Sequence, residues 1–105
     1  FVKEHKVWTE AEKSSQVPVR FVKTVDDYQQ ALKNGEYAIQ WNSQTTMMLE
    51  SDASRVKDVA ALGIKTMQLT YNETELTGAG VVSMINGDNS GLTSFGKKVI
   101  DEMVK

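Results

Sequence analysis

The sequence contains no cysteine and a single histidine, and these shortages exclude several kinds of site. Without thiols the chain can form neither a disulfide nor a thiolate metal site, and it has no cysteine nucleophile. Catalytic triads and most zinc sites depend on histidine, and His5, which is flanked by Glu4 and Lys6, is expected to be an ordinary surface residue. We therefore expect no catalytic residue of these classes, no bound metal and no cofactor.

Positive charge is neither abundant nor concentrated. The 12 lysines and arginines are interspersed with the 14 aspartates and glutamates, and the only arginines are Arg20 and Arg55. A nucleic-acid-binding surface concentrates Lys and Arg on one stripe, so we expect no nucleic-acid partner. The longest apolar runs are only a few residues, far short of the roughly 20 that cross a bilayer, so we expect no membrane span in this chain.

What is present is the composition of an ordinary globular domain. Of the 105 residues, 40% are hydrophobic and 25% are charged, which suits a chain with one core. The polar stretch 1–16 is predicted to be an N-terminal arm, and residues 17–105 are predicted to form a single α/β domain. In the arm, Thr9 and Glu12 suggest a capping box for one helical turn, and Trp8 either docks onto the body or contacts a partner.

The periodicity of the apolar residues predicts the elements of that domain. Alternation predicts three strands, over residues 17–21, 37–41 and 64–71. Helical spacing predicts three helices, over residues 24–33, 45–63 and 92–103. Residues 81–85 are interpreted as a further strand, with the start of a helix as the alternative. The order β-α-β-α-β-β-α predicts a two-layer α/β (α+β) sandwich with a mixed sheet of four to five strands.

Apolar and aromatic residues at these spacings are expected to form the core. The inner face of the first domain helix consists of Val25, Tyr28, Ala31 and Leu32. The alternating strand positions hold three aromatic residues, Tyr37, Trp41 and Tyr71. We expect these rings to pack under helices, with an exposed platform for a sugar or peptide as the alternative.

Two segments and the element order resemble known families. Residues 37–43 read Tyr-Ala-Ile-Gln-Trp-Asn-Ser and resemble the start of a SPOR peptidoglycan-binding domain, with Asn42 where that family has glycine. Residues 76–82 are similar to the helix start of STAS regulatory domains, without the aspartate and serine expected there. The element order resembles thioredoxin-like folds, without their cysteines. Most of these resemblances imply binding or regulation.

Three features admit a chemical interpretation beside a structural one. The glycines of residues 77–80 could bring backbone amides to a phosphate, but no P-loop lysine follows them, so close packing in a turn is favoured. Asp26 and Asp27 could hold magnesium, but helix capping explains them more simply. Glu73 and Glu75 could form a glycosidase-like pair, but a flexible loop gives the two carboxylates no distinct roles, so both are interpreted as solvated.

The best candidate binding surface lies where the parallel strands end, because open α/β sheets bind ligands beyond the carboxyl ends of their strands. Those ends are followed by residues 23–24, by residues 42–46 and by Asn72. Neutral hydrogen-bonding side chains are concentrated in the second of these segments. We predict five binding residues: Asn42, Ser43, Thr45, Thr46 and Trp8. For the four residues of segment 42–46, the alternative is an ordinary capped loop.

The missing catalytic groups and the three resemblances favour a non-catalytic interaction or binding module. Such a module would be a regulatory or anchored domain of a larger protein, and its partner would be a protein or another macromolecule. These observations weigh against an enzyme. The alternative is a small enzyme or ligand-sensing domain that uses the loops at the carboxyl ends of the strands.

Overall fold

The computed structural model describes residues 2–105, and for Val2, Glu4 and His5 it describes the backbone alone. The expectation for His5 therefore lies outside the described side chains. The helices and strands are, in chain order, α1 (Val2–Ser14), β1 (Val19–Phe21), α2 (Val25–Lys33), β2 (Tyr37–Ile39), β3 (Trp41–Ser43), α3 (Val56–Ala61), β4 (Ile64–Met67), α4 (Val81–Ile85) and α5 (Ser94–Met103). None of the helices in residues 2–105 has the length and apolar character needed to cross a membrane.

The four strands form two parallel pairs. β1 pairs with β2, with Val19 opposite Tyr37, and β3 pairs with β4, with Trp41 opposite Ile64. In each pair a helix connects the strands, α2 in the first and α3 in the second, as parallel pairing requires. The predicted mixed α/β class is confirmed and the strand number agrees. The strands form two small parallel sheets rather than one mixed sheet.

The predicted helix over residues 45–63 is interrupted. It begins with two 3-10 turns, Met47–Leu49 and Ala53–Arg55, and only α3 is a regular α-helix. Between the turns, Glu50 has a φ of 52°, which breaks the helical path. Asp52 then accepts a hydrogen bond from the backbone N–H of Ser54 at 2.9 Å and thereby caps the second 3-10 turn.

Residues 81–85 form a helix, α4, so the strand interpretation was wrong and the alternative holds. Its first backbone N–H groups donate to carbonyls of the preceding loop, from Val81 to Tyr71 at 2.8 Å and from Val82 to Asn72 at 3.0 Å. Met84 N–H then donates to Gly80 at 2.9 Å in the helical pattern. Partners outside the segment thus satisfy the groups that a helix start leaves unpaired.

The polar arm is a helix of 13 residues that contacts the body. Because α1 begins at Val2, Thr9 lies inside it and is not its cap. The carboxylate of Glu12 instead accepts a hydrogen bond from the backbone N–H of Phe21 at 3.0 Å. The Trp8 ring packs edge-on against Trp41, with centroids 6.1 Å apart, so the arm is docked although Trp8 stays half-exposed.

The hydrophobic core lies between α3, β4 and α5. Its buried members are Leu49, Val56, Val59, Ile64 and Val99, and Leu49 and Val99 have no exposed surface. Trp41, Met48 and Phe95 are among the partly buried side chains that pack against this cluster.

Helix α2 buries little of its predicted inner face. Ala31 is fully buried, but 72% of Val25 and 60% of Leu32 are exposed, because a sheet of two strands is too narrow to cover the helix. The aromatic expectation was wrong for Tyr37 and Tyr71, which are 65% and 47% exposed. The radius of gyration is 16.4 Å, whereas a compact chain of this size has about 13 Å, in keeping with so many uncovered apolar side chains.

The loop between β4 and α4 packs closely against its surroundings at glycines. A Cβ added to Gly96 of α5 would lie 2.3 Å from the backbone oxygen of Thr77. A Cβ added to Gly80 would lie equally close, at 2.3 Å, to the backbone oxygen of Glu73. The glycine-rich segment 77–80 therefore serves close packing, the role favoured for it above.

We expect Gly96→Ala to lower the free energy of unfolding by about 1–3 kcal/mol, because the new methyl group meets a backbone carbonyl. The same change inside an unobstructed helix raises stability by about 1 kcal/mol, so the sign of the effect is diagnostic. Urea unfolding measures it. The exposed neighbour provides the control: Lys97→Ala is expected to change stability by less than about 0.5 kcal/mol. A Gly96→Ala variant as stable as the parent would contradict the close contact.

Candidate functional site

A cavity of about 830 Å³ lies between the segment after β3 and the segment after β4. Its wall consists of residues 44–47, Glu50 and residues 71–76. Because β3 and β4 are parallel, both segments leave the sheet at the same edge. The cavity thus occupies the position where α/β proteins commonly bind ligands.

The carboxylate of Glu75 joins the two sides of this cavity. Its Oε2 atom accepts three hydrogen bonds, from Thr45 Oγ1 at 2.7 Å and from both the backbone N–H and Oγ1 of Thr46 at 3.1 Å. Glu75 is half-buried, and 30 residues separate it from Thr45. One oxygen of the carboxylate is therefore held against the opposite loop, and Oε1 takes part in none of these three bonds.

A buried second layer supports this arrangement. The hydroxyl of Thr46 lies 2.9 Å from the hydroxyl of Thr77 and 3.1 Å from the backbone oxygen of Leu69, and both threonines are buried. A hydroxyl has one proton, and because Thr77 Oγ1 donates to the backbone oxygen of Leu69 at 2.5 Å, Thr46 can donate its own proton to Glu75. These hydrogen bonds leave the side chains of Thr46 and Thr77 little freedom to move.

The rest of the wall is apolar or exposed. Met47, Tyr71 and Leu76 expose 72%, 47% and 59% of their surface, and no lysine, arginine or histidine lines the cavity in the described chain. Glu50 holds a φ of 52° at the rim, a conformation that is costly for a residue other than glycine. Its carboxylate is paired with Arg55, with an N···O distance of 2.7 Å.

The structure brings together only some of the predicted binding residues. Thr45 and Thr46 lie in the cavity wall. Ser43 is buried behind it and donates from Oγ to the backbone oxygen of Thr45 at 2.7 Å, so it shapes the loop. Asn42 is exposed on β3 and Trp8 packs on Trp41, both outside the wall. The binding roles of these residues stay predictions.

Glu75 is the residue that the sequence reasoning missed. It was interpreted as a solvated loop residue, whereas the structure places it half-buried beneath two threonines. The one available indication was the surplus of hydroxyl side chains after β3, more than a helix cap requires. Glu73 is exposed, as expected.

Asp27 has the capping role expected of it. Its carboxylate and the hydroxyl of Thr24 form a capping box at the start of α2. Hydrogen bonds to that carboxylate, first from the backbone N–H of Lys23 and then from Thr24, lower the pKa of Asp27. Within residues 2–105, the described side chains include no group of three or more His, Cys, Asp or Glu that could hold a metal ion.

A further carboxylate ties the cavity wall to the turn after α4. Asp88 accepts hydrogen bonds from the backbone N–H of Ser90 at 2.9 Å and from the hydroxyl of Thr74, which lines the cavity. These bonds, those from Ser90 first, lower the pKa of Asp88 to about 2. The ionised carboxylate thus helps to fix the loop that carries Glu75.

Comparison with known proteins relates the chain to hydrolases. The family model described as membrane dipeptidase (peptidase family M19) matches residues 3–105. Among solved structures, an amidohydrolase from Pseudomonas aeruginosa is similar with a TM-score of 0.87 and 24% sequence identity. The similarity covers 97% of this chain and 30% of that protein. No curated protein matches the chain.

These matches overturn the interpretation of the chain as a non-catalytic interaction or binding module. The three resemblances that supported it, to SPOR, STAS and thioredoxin-like proteins, covered short segments or the element order alone. The scarcity of histidine and the lack of cysteine do not exclude a hydrolase, for a physical reason. An α/β enzyme assembles its site from the loops of many strands, and this chain spans 30% of the similar amidohydrolase. A segment of that size need not contain a complete catalytic constellation.

We expect the Asp88 contacts to stabilise the loop only while the carboxylate is ionised. Because folding lowers the pKa of Asp88 from 3.8 to about 2, the contribution is complete above about pH 4 and is lost as the pH falls through about 2. Asp88→Asn should therefore lower the melting temperature near pH 6, and the difference should shrink between about pH 4 and pH 2. Thermal melts across this range test it, with the exposed Asp101→Asn as the control. A difference that does not change with pH would refute this role.

Proposed function

Because the chain belongs to the membrane dipeptidase family, peptidase family M19, we propose that it forms part of a hydrolase that cleaves the amide bond of a dipeptide. The observation that carries the proposal is the family match over residues 3–105, which includes all of the fold except the first residue of α1. In this reaction water adds across the C–N bond. The hydroxyl goes to the carbonyl carbon and a proton goes to the nitrogen, which leaves as an amine.

The similar structure supports this proposal through its fold. The amidohydrolase has a fold similar to 97% of this chain, and its name refers to the same class of bond. Since the chain spans 30% of that protein, the activity of a whole enzyme is proposed for the polypeptide that carries this chain. The exposed apolar side chains of α2 and α4 are surfaces that further elements of such an enzyme would cover. Examples are Val25, Leu32 and Ile85, which are 72%, 60% and 79% exposed.

Within this enzyme, the role we assign to the chain is substrate binding in the cavity between residues 44–47 and 71–76. The cavity lies beyond the carboxyl ends of β3 and β4, and its volume of about 830 Å³ falls within the range of small-molecule sites. The hydrogen bonds from Thr45 and Thr46 hold Glu75 before any ligand arrives. A wall that is already ordered loses little entropy when a substrate binds.

We expect the full-length polypeptide to hydrolyse dipeptides and release its two amino acids in equal amounts, measured by chromatography of the products. Thr46→Val should lower kcat/KM by about tenfold or more, because it removes a hydroxyl that contacts both Glu75 and Thr77. Thr45→Val removes one contact with Glu75 and serves as a second, milder variant.

The matched control is Thr66→Val on β4. Its side chain is exposed, and its hydroxyl accepts a hydrogen bond from Gln40 at 3.1 Å outside the cavity. We expect this variant to keep kcat/KM within about twofold of the parent value. Circular dichroism confirms that each variant is folded. If the folded full-length protein hydrolyses no dipeptide in a panel of apolar, polar and charged sequences, the proposed function is wrong.

A further inference from the structure

The charged residues that line the cavity all carry negative charge. Its wall contains the carboxylates of Glu50, Glu73 and Glu75, and no lysine, arginine or histidine of the described chain lines it. Arg55 neutralises Glu50 at the rim, and Glu73 is exposed to water. Glu75 differs from both, because it is half-buried and lies among residues that exclude part of the solvent. Its charge therefore has the strongest influence on what the cavity accepts.

The hydrogen bonds of Glu75 determine which of its atoms is available. All three donors from Thr45 and Thr46 converge on Oε2. A carboxylate can accept about four hydrogen bonds over its two oxygens, so Oε1 retains acceptor capacity that these donors do not use. A donor bound at Oε1 would meet a carboxylate that is already held in place. Such a site favours a charged N–H donor, since charge-assisted hydrogen bonds are the stronger kind.

Apolar side chains line the same cavity as this carboxylate. Met47, Tyr71 and Leu76 line the same cavity and expose 72%, 47% and 59% of their surface. A thioether, an aromatic ring and a branched aliphatic chain suit the hydrocarbon part of a ligand. The face of an aromatic ring such as that of Tyr71 also attracts a cation that lies close to it.

We propose that Glu75 is a specificity-determining residue whose Oε1 binds the ammonium group of an amine with an apolar body, which in the proposed dipeptidase is the free amino end of the substrate. This inference rests on the proposed function for the identity of the substrate. It predicts that the enzyme distinguishes a dipeptide with a free ammonium group from the same dipeptide with an acetylated amino group. No covalent step involves Glu75 in this role.

The direct test is an NMR titration of the full-length protein with two probes of the same shape, the 2-phenylethylammonium ion and the neutral 2-phenylethanol. The parent protein is expected to bind the ammonium probe about tenfold or more tightly than the alcohol. Glu75→Gln should abolish this preference while leaving the affinity for 2-phenylethanol unchanged, which also shows that the cavity is intact. A preference that survives Glu75→Gln would overturn the proposal.

Two variants separate direct contact from the general effect of charge. Asp58→Asn removes one negative charge from the exposed surface of α3, outside the cavity, and should leave the preference unchanged. Glu73→Gln removes one charge from the rim and should lower the preference by less than Glu75→Gln does. If Glu73→Gln has the same effect as Glu75→Gln, the selectivity comes from the field of the loop and the assignment to Glu75 is wrong.

A second substitution keeps the test decisive if Glu75→Gln does not fold. Glu75→Asp retains the charge but draws the carboxylate back towards the backbone, away from Thr45 and Thr46. The preference for the ammonium probe should then fall although the net charge is unchanged. If Glu75→Asp keeps the full preference for the ammonium probe, the position of the carboxylate does not matter and the proposal is wrong.

Hydrolysis provides a separate measurement. The parent enzyme should favour a dipeptide over its N-acetyl derivative in kcat/KM, and Glu75→Gln should reduce that ratio by about tenfold or more. Hydrolysis with a ratio that does not depend on Glu75 would overturn this inference and leave the proposed function intact. A Glu75-dependent preference for the ammonium probe without any hydrolysis would support the ammonium site and overturn the proposed function.

Discussion

Three hydrogen bonds converge on Oε2 of Glu75 and hold together two loops that lie far apart in the sequence. They form only because β3 and β4 pair in parallel and deliver residues 44–47 and 71–76 to the same edge of the sheet. The buried hydroxyls of Thr46 and Thr77 continue the cluster into the domain. Removing one member would leave buried polar groups without partners, which is costly in a medium of low dielectric constant. The position of the cavity therefore depends on the pairing of the strands.

The loop that carries Glu75 is also held from its other side. Gly78 forms an isolated antiparallel bridge with Leu92, and the backbone oxygen of Thr77 lies against Gly96 of α5. Val99, on the next turn of α5, belongs to the hydrophobic core. Helix α5 therefore contacts both the hydrophobic core and the loop that forms the cavity wall. A wall supported in this way can keep a carboxylate in one orientation without a ligand, which is what selective recognition of a small molecule requires.

The exposed apolar side chains and the shortage of catalytic residues in the sequence have the same origin. The strands form two sheets of only two strands each, and such a narrow sheet cannot cover the apolar face of a helix. Val25 and Leu32 of α2 are therefore exposed. Parallel sheets of α/β enzymes draw their functional groups from loops at several strand ends. A chain that spans 30% of a similar amidohydrolase holds a few of those loops. The shortage of catalytic residue types in this chain therefore does not exclude an enzyme.

The sequence by itself determined the features that depend on neighbours within a few residues. These include the mixed α/β class, the capping box of Thr24 and Asp27, the amphipathic α5, and the placement of Thr45 and Thr46 after a strand. Tertiary structure alone decided the rest. The left-handed φ of Glu50 interrupts a regular helical pattern, and loop carbonyls of Tyr71 and Asn72 start α4. The role of Glu75 depends on hydrogen bonds to residues about 30 positions away, and no periodicity records such contacts, because they arise from strand pairing and not from local spacing.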